Sequence, residues 1–252
     1  FVSAKYSEAN SVWINNGTEI KEEFSDTAKN YYNATTGAIK NGDLRTINKW
    51  IEENYNEGAE IENTNFDVML LNIAKFNGTW LVPFRESFTK EDVFYSADGD
   101  EDKVMFMNFD MPVSDRDKFL YYEEDGLKAL SLKYGSSVEP YEKYTPYEMT
   151  FVLTEKEITG DTLKNIFNGL KTDSVIVKIP KFNIKNEIDV ASMLKNMGVN
   201  DMFDPSLADL SNMTEESGYY ISDVTQKAYI SIDEKGTSAG AISEVDAVRS
   251  IE

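Results

Sequence analysis

The chain of 252 residues contains no cysteine and no histidine. Without cysteine it forms no disulfide and carries no thiol nucleophile. Without histidine it has neither a Ser-His-Asp nor a Cys-His catalytic arrangement, and no zinc site built on imidazole. These two absences remove most hydrolase mechanisms that depend on an activated nucleophile. They leave the redox compartment of the protein open.

Basic residues are also scarce, because 25 lysines and arginines stand against 45 aspartates and glutamates, which gives a formal net charge of −20. A protein of this charge repels nucleic acid and anionic membrane surfaces, and we expect neither as a partner. No apolar run approaches the roughly 18 residues that a membrane-spanning helix needs, and no basic segment followed by an apolar one opens the chain. Because Phe1 is taken to begin in mid-fold, the missing leader says little about secretion.

The remaining enzymatic option is a pair of catalytic carboxylates, as in glycosidases or aspartic proteases. The sequence contains no Asp-Thr-Gly or Asp-Ser-Gly signature. Asp98, Asp100 and Asp102 have the spacing of a calcium-binding loop, but Lys103 stands where that loop needs glycine and Phe109 where it needs glutamate. We therefore expect a solvated turn there, no metal site and no catalytic residue. A carboxylate-pair hydrolase is the least favoured interpretation.

Hydrophobic periodicity predicts strands and helices in mixed order. With 41% hydrophobic residues, a chain of this length buries a substantial core. Apolar residues at helical spacing predict helices over 18–32, 43–55, 163–170 and 190–197, and alternating or continuous apolar runs predict strands over 9–14, 66–76, 127–134, 147–153, 174–179 and 221–232. There is no internal repeat and no long linker, so we expect one α+β domain.

The last part of the chain, residues 234–252, is rich in glycine, serine and alanine, which is typical of a flexible linker. Read two residues at a time, it also has the pattern of a strand. One face is small throughout: Thr237, Ala239, Ala241, Ser243, Val245 and Ala247. The other face carries Ser238, Gly240, Ile242, Glu244, Asp246 and Val248. We expect the first face to enter a tight sheet interior and the second to meet water. The pattern alone leaves linker and strand equally open.

The segment that leads into this tail, 227–237, resembles the hinge of serpins. In that family a strand ends in an acidic residue followed by Glu-x-Gly-Thr. A run of small residues comes next, and these residues form the exposed reactive-centre loop that proteases attack. Five further motifs follow the family's order along the chain: residues 71–80, 83–89, 104–107, 179–182 and 197–211. The resemblance covers the whole chain. It implies an α+β serpin fold with a large central mixed sheet, further sheets and surrounding helices.

The resemblance also implies a mechanism. In serpins the loop is held out as bait, and the central sheet keeps a gap between two parallel strands, which here would be 66–76 and 221–232. A protease that cuts the loop frees its end, which enters the gap as a new strand, and the acyl-linked protease is dragged along and distorted. The uncut protein is therefore metastable. The implied hinge residues, where insertion begins, are Glu234, Gly236, Thr237, Ala239 and Ala241.

Three residues correspond to the gate through which a serpin loop enters. Trp80 would lie at the breach, where insertion starts, and Asn72 at the shutter beneath the sheet. Gln226 stands where the family usually has histidine at the shutter. Because an amide both donates and accepts hydrogen bonds, we expect Gln226 to serve as a neutral partner for Asn72. The replacement removes a pH-titrating group from the gate.

The second departure from the family is length. The N-terminal helices with which serpins begin have no counterpart, nor do the strands that normally follow the loop. We expect the chain to be a fragment or one piece of a cleaved molecule. It would form a single serpin-like domain, 1–252, with its hinge and reactive-centre loop at 234–252. The resemblance implies an extracellular or cell-surface location.

A typical serpin loop length, counted from Glu234, places the reactive bond between Ser250 and Ile251. A register shifted by one residue gives Arg249 instead, and a chain that ends at a protease cut gives Glu252. Serine suits elastase- or subtilisin-like proteases with small primary pockets, whereas arginine suits trypsin-like ones. We therefore predict an irreversible, suicide-substrate inhibitor of serine proteases, not an enzyme, with no cofactor.

The alternative is a non-inhibitory serpin that acts as a carrier, chaperone or structural protein. Such members tend to carry charged, proline or bulky residues where this chain has Thr237, Ala239 and Ala241, and the hinge therefore favours inhibition. The strongly acidic charge argues against the basic heparin-binding face that some serpins carry.

Overall fold

The computed structural model describes residues 4–15, 17–55, 58–96, 98–109, 119–138 and 141–250. The chain forms two compact units. Residues 1–5, 76–184 and 230–238 make up what we call the first unit, and 6–75, 185–229 and 239–252 make up the second unit. The expectation of a single domain stays a prediction.

Within the described residues, thirteen strands form three sheets. In chain order they are β1 (Ala4–Asn15), β2 (Thr35–Ile39), β3 (Val68–Thr79), β4 (Lys90–Tyr95), β5 (Glu101–Asn108), β6 (Phe119–Glu124), β7 (Leu127–Val138), β8 (Tyr141–Leu153), β9 (Lys171–Asp173), β10 (Lys178–Pro180), β11 (Phe182–Asp189), β12 (Tyr219–Ile232) and β13 (Gly236–Arg249). The strand orders are β11-β12-β13-β3-β1-β2, β10-β5-β4 and β8-β7-β6-β9. In the six-stranded sheet β1 and β2 run parallel, whereas a tight turn joins β12 to β13. The large sheet is therefore mixed, as expected.

Four α-helices accompany the sheets in the described residues: α1 (Glu22–Tyr32), α2 (Arg45–Asn54), α3 (Gly160–Gly169) and α4 (Val190–Asn196). Short 3₁₀ turns lie at Glu86–Phe88 and Asp201–Phe203. Thr159 caps α3 by accepting the backbone N–H of Thr162, and Asp189 caps α4 by accepting that of Ser192. Such caps satisfy N–H groups that have no partner inside the helix. The helices confirm the α+β class.

In the second unit, α2 lies over one face of the large sheet. Its Ile47 and Ile51 are almost completely buried and share one cluster with Met69 and Ile73 of β3 and with Ile242 of β13. Trp13 and Trp50 meet edge to face in the same cluster, with ring centroids 6.2 Å apart. A surface helix gains most of its stability from such an apolar stripe.

Most of the predicted elements are present, with shifted ends. The helix predicted from residue 18 begins at Glu22, because Ile20 pairs with Thr214 in an antiparallel bridge and Lys21 donates its N–H to the Met213 carbonyl. These contacts hold the chain extended for four residues beyond the predicted start. The predicted 66–76 strand is shifted to Val68–Thr79.

The strand predicted over 174–179 is wrong in part. The structure has two separate strands, β9 before it and β10 at its end, and residues 174–177 belong to neither. The reason is that β9 pairs with β6 and β10 with β5, which lie in different sheets. Val175 and Val177 pack into the core of the first unit on the way between them. Their apolar character reflects burial without strand pairing.

The acidic segment Asp98–Asp102 is exposed throughout, and its first three residues form the expected solvated turn, whereas Glu101 and Asp102 begin β5. The Ser96 N–H donates to the Asp100 carbonyl and the Gly99 N–H to the Ser96 carbonyl, both at 3.0 Å. Gly99 has a φ of +85°, a backbone conformation that favours glycine. No cluster of three or more acidic side chains suited to a metal ion occurs anywhere in the described ranges.

Candidate functional site: the inserted strand and its turn

The glycine- and alanine-rich tail is a strand, β13, in the middle of the large sheet between β12 and β3. The N–H of Asp67, just before β3, donates to the Ala247 carbonyl, and the N–H of Trp80, just after β3, donates to the Lys235 carbonyl, each at 2.9 Å. These pairings run antiparallel. Because the β12–β13 turn is tight, β12 and β3 run parallel on either side of β13. The strand order is the one expected for a loop that has entered a gap between two parallel strands.

The turn Asp233–Lys235 fixes the start of β13. The Asp233 carboxylate accepts the backbone N–H groups of Lys235 at 2.8 Å and Gly236 at 3.0 Å, and the Asp233 N–H donates to the Gly236 carbonyl at 3.1 Å. Aspartate favours such turns because its short side chain bonds to backbone groups just ahead of it. The first acidic residue of the hinge motif therefore has a structural role.

Glu234, the implied hinge glutamate, is buried, and both of its carboxylate oxygens have partners. Oε1 accepts a hydrogen bond from the Thr89 hydroxyl, and Oε2 pairs with Lys181 Nζ, each at 2.7 Å. Burial by itself raises the pKa of Glu234, but the hydrogen bonds from Lys181 and Thr89 outweigh it and hold the pKa below its usual value. Phe84 also donates its N–H to the Glu234 carbonyl at 2.9 Å. The motif glutamate thus anchors the turn to the first unit.

Trp80, the implied breach residue, packs directly on this turn. Its indole Nε1 donates to the Asp233 carbonyl at 2.9 Å. Its ring stacks on Tyr134, with centroids 4.7 Å apart and planes 13° from parallel. Only 3% of Trp80 is exposed. The structure therefore brings Trp80 together with Glu234 and Gly236 around the point where β13 begins.

Thr237 is the first side chain of β13, and it is buried with 4% of its surface exposed. Its hydroxyl oxygen accepts a hydrogen bond from the Tyr134 hydroxyl at 2.7 Å. Burial raises the pKa of Tyr134 to about 12, against a smaller opposing effect of this hydrogen bond, so the phenol stays protonated and able to donate. A small hydroxyl residue at position 237 is therefore matched to a specific buried donor.

Two glycines let β13 approach its neighbours closely. A Cβ added at Gly236 would lie 1.9 Å from the Gly78 carbonyl oxygen, which is backbone and cannot rotate away. A Cβ added at Gly240 would lie 2.9 Å from both the Tyr229 and the Tyr55 ring. Any residue with a Cβ at position 236 would therefore move the backbone.

The two faces of β13 do not divide as expected. Thr237 and Ala247 are buried, but the middle of the small face is only half-buried. On the opposite face Ile242, Glu244 and Asp246 are all buried, so the expectation that this face meets water is wrong. Ile242 packs in one cluster with α2, and Asp246 bonds to Asn63, which precedes β3. A charge pattern in sequence does not show which face a helix from elsewhere in the chain covers.

The expected pairing of Asn72 with Gln226 is absent. Asn72 Nδ2 donates to Asn10 Oδ1 at 2.7 Å and to Glu8 Oε1 at 3.3 Å on β1, and Gln226 Nε2 donates to the Ser243 hydroxyl at 2.9 Å on β13. The two amides lie on β3 and β12, and β13 separates these strands. The expected pairing is therefore wrong for this structure, in which Asn72 bonds to β1 and Gln226 bonds to β13.

The end of β13 holds the implied reactive-bond residues. Arg249 Nη1 pairs with Glu216 Oε2 at 2.5 Å, and its N–H donates to Asp67 Oδ2 at 2.8 Å. Ser250 donates its N–H to the Gly218 carbonyl at 2.9 Å. Ile251 and Glu252 lie outside the described residues. The reactive bond between Ser250 and Ile251 stays a prediction.

Sequence reasoning did not find the partners that hold the hinge in place. Tyr134 was predicted only as the end of a strand, although it contacts both Trp80 and Thr237. Lys181 was part of a recognised motif, but its pairing with Glu234 was not expected. Nothing local in the sequence signals either contact, because the partners are separated by 53 or more residues.

A family model described as serpin (serine protease inhibitor) matches residues 2–252. The chain belongs to the serpin family. The resemblance drawn from the hinge and the five further motifs is therefore confirmed. The position of β13 between β12 and β3 agrees with the strand order expected from that resemblance.

Two relatives give the extent of this serpin's similarity. An uncharacterised serpin-like protein of Methanosarcina acetivorans is 31% identical over 246 residues, covering 92% of this chain and 56% of the relative. Human neuroserpin is 28% identical over 260 residues, covering 95% of this chain and 62% of the relative. This serpin chain thus spans less than two thirds of the length of these curated relatives.

Similarity to solved structures confirms the fold. Reactive loop cleaved human thyroxine binding globulin superimposes with a TM-score of 0.84 at 21% identity, covering 99% of this chain and 75% of that one. At this identity the likeness concerns the fold alone.

Among the helices of the described residues, none is long and apolar enough to cross a membrane.

Proposed function

We propose that this serpin is an irreversible inhibitor of serine proteases that traps the acyl-enzyme by inserting its cut reactive-centre loop into the large sheet. The observation that carries the proposal is the position of β13, which lies between β12 and β3 as a central strand of the six-stranded sheet. The free energy that trapping needs is supplied when such a segment moves from an exposed loop to the position of a central strand.

That free energy is large compared with ordinary domain stability. β13 is 14 residues long and has a strand neighbour on each side. About a dozen added ladder hydrogen bonds, at about 0.5–1.5 kcal/mol net each, contribute on the order of 10 kcal/mol. A whole domain is stable by about 5–15 kcal/mol. The form with an exposed loop is then kinetically trapped, and cleavage releases it.

The hinge side chains support rapid insertion. A Cβ at Gly236 would clash with the Gly78 carbonyl, and Thr237 is buried at a site where the Tyr134 hydroxyl donates a hydrogen bond to it. Ala239 and Ala241 follow without any bulky group. Trapping requires that insertion outpace deacylation, and small side chains keep the desolvation and packing costs of the first steps low.

The target protease follows from the tip of the loop. With Ser250 as the residue before the cut bond, elastase- or subtilisin-like enzymes fit best, and with Arg249 in that role trypsin-like enzymes do. The net charge of −20 disfavours heparin as a partner. We place the protein outside the cell or at its surface, where such proteases act on exposed loops.

A second function has one observation in its favour. The fold is shared with thyroxine binding globulin, whose name describes the binding of thyroxine. A carrier, chaperone or structural role would keep the fold without using insertion to trap a protease. The small residues from Thr237 to Ala241 favour inhibition over this alternative, because they keep early insertion easy.

A covalent complex is the decisive test. Mixed with subtilisin, elastase or trypsin, the complete protein is expected to give a band at the summed mass on a denaturing gel. Mass spectrometry of the released peptide then identifies the cut bond as the one after Ser250, Arg249 or Glu252. Cleavage into fragments with full protease activity remaining would contradict inhibition and favour the carrier function.

A further inference from the structure

The inserted strand buries two acidic side chains, Glu244 and Asp246. They project from the same face of β13, two residues apart, and only 9% and 1% of their surfaces are exposed. Acidic residues are seldom fully buried unless they are paired. In an extruded loop the same two carboxylates would be solvated, so insertion changes their surroundings more than those of the neighbouring serines and alanines.

The hydrogen bonding of the pair is incomplete for two ionised groups. Asp246 Oδ2 accepts a hydrogen bond from Asn63 Nδ2 at 2.5 Å. In the described part of the chain, no donor reaches Asp246 Oδ1 or Glu244 Oε1. An ionised carboxylate only accepts, whereas a protonated one also donates. A proton held by either group gives that carboxyl a hydrogen to donate, and the two side chains lie two residues apart on one face of β13.

The surrounding charges do not neutralise the pair. On β12, Asp223 adds a negative charge, and Lys227 acts on Glu244 in the opposite sense. Lys227 Nζ donates to the Glu60 backbone carbonyl at 3.3 Å, and no ion pair between it and the two acids occurs among the described residues. In the segment before β3, Asn63 is a neutral partner of Asp246, and Glu60 and Glu62 are exposed to solvent.

The strand on the other side offers no compensation. β3 carries no ionisable side chain between residues 68 and 74. Burial, then the charge of Asp246, raises the pKa of Glu244 to about 8. Burial also raises the pKa of Asp246 to about 6, despite the opposing hydrogen bond from Asn63. The pair titrates as one unit, because a proton on one group affects the other.

We propose that insertion of β13 takes up protons on Glu244 and Asp246, which makes loop insertion a pH-dependent step that acid favours and alkali opposes. This inference deepens the proposed inhibitory function and rests on it. The direction follows because the pKa values are higher in the inserted state than in a solvated loop. The favourable contribution of proton uptake to insertion is fully present below the usual carboxyl range near pH 4. It is lost as the pH rises through the pKa values of the inserted state.

The size of the effect follows from proton linkage. An equilibrium that takes up one proton changes tenfold for each pH unit. With inserted-state pKa values of about 6 and 8, insertion is about 100-fold less favourable at pH 8 than at pH 6. At pH 7 insertion takes up about one proton per molecule, and at pH 9.5 close to none.

The test counts protons directly. The complete protein is cut in its loop by a metalloprotease, which forms no acyl-enzyme and is therefore not trapped, and the protons exchanged are measured by calorimetry in two buffers of different ionisation enthalpy. The same measurement on Glu244→Gln/Asp246→Asn subtracts the protons that peptide cleavage itself exchanges. Glu62→Gln, which removes an exposed carboxylate near β3, is the matched control. Thermal melting of the cut protein reports separately whether the strand has inserted.

The expected result is that wild type and Glu62→Gln take up about one proton more at pH 7 than the double variant, and that the difference disappears at pH 9.5. If the double variant does not fold, Glu244→Gln alone is expected to remove most of the uptake at pH 7. Equal uptake in all proteins, with melting raised by cleavage in each, overturns the proton-coupling proposal. If cleavage raises the melting temperature in none of them, insertion itself is refuted, and the proposed function fails with it.

Discussion

Replacing Thr237 with arginine is expected to turn the proposed inhibitor into a substrate. Thr237 is the first side chain of β13 to be buried, and its hydroxyl accepts the hydrogen bond of Tyr134 at 2.7 Å. Arginine removes that acceptor and brings a larger, charged group to a site that has no room for it. The cut bond lies far along the loop from this residue, so the protease should still recognise and cleave it.

The magnitude can be worked out from the contacts. Leaving the buried Tyr134 hydroxyl unpaired costs about 1–3 kcal/mol, overpacking costs about 1–3 kcal/mol, and desolvating an unpaired charge costs several kcal/mol more. Together these oppose the first step of insertion by at least about 5 kcal/mol, or three to four powers of ten in its equilibrium. The whole strand gains on the order of 10 kcal/mol. Complete insertion therefore stays favourable but becomes too slow to outpace deacylation.

The assay is the number of inhibitor molecules consumed for each protease molecule inactivated. For Thr237→Arg this number is expected to rise at least tenfold, with the cleavage rate nearly unchanged. Thr237→Ser keeps the acceptor and should behave as wild type. Thr237→Val keeps the size and loses only the acceptor, so it should fall between them. Near-equal stoichiometry of trapping by Thr237→Arg would refute the inference that insertion begins by burying this side chain.

Three further outcomes are expected. Gly236→Ala should destabilise the loop-cut protein by about 1–3 kcal/mol in denaturant unfolding, because its Cβ meets a backbone oxygen. Gly160→Ala, whose Cβ meets nothing within 4 Å, should leave the stability unchanged. Equal effects of the two substitutions would contradict the close approach at Gly236. Lys181→Met should cost about 1–2 kcal/mol at pH 7, since Lys181 is partly exposed. Because the pKa of Glu234 is lowered, that deficit should shrink as the pH falls through the carboxyl range, and a deficit that persists in acid would argue against the ion pair. Cutting the loop near Ser250 should raise the melting temperature by tens of degrees in calorimetry, since 1 kcal/mol is worth roughly 2–4 °C in a domain of this size; an unchanged value would favour the non-inhibitory alternative.

The candidate site was predictable where short-range rules apply. Glycine at 236 and threonine at 237 are local features of a motif, and that motif favoured a strand after them where the alternation of small residues alone left linker and strand equally open. The contacts of that strand were not predictable. Tyr134 and Lys181 lie far from Thr237 and Glu234 in sequence, and only the pairing of distant strands brings them together. β4 and β11 were missed; most residues of both strands are exposed, and in β11 the alternating Phe182, Ile184 and Ile188 were not recognised as a strand face.

Residue order and local periodicity are enough to identify the family, the α+β class and the hinge motif that precedes β13. Which side of β13 is buried depends on its tertiary contacts. A period of two tells the two faces of a strand apart, but which face is buried depends on contacts with distant residues, such as those of Ile242 with α2. Glu244 and Asp246, which the sequence pattern places in water, are likewise buried, and the proposed proton coupling rests on that burial.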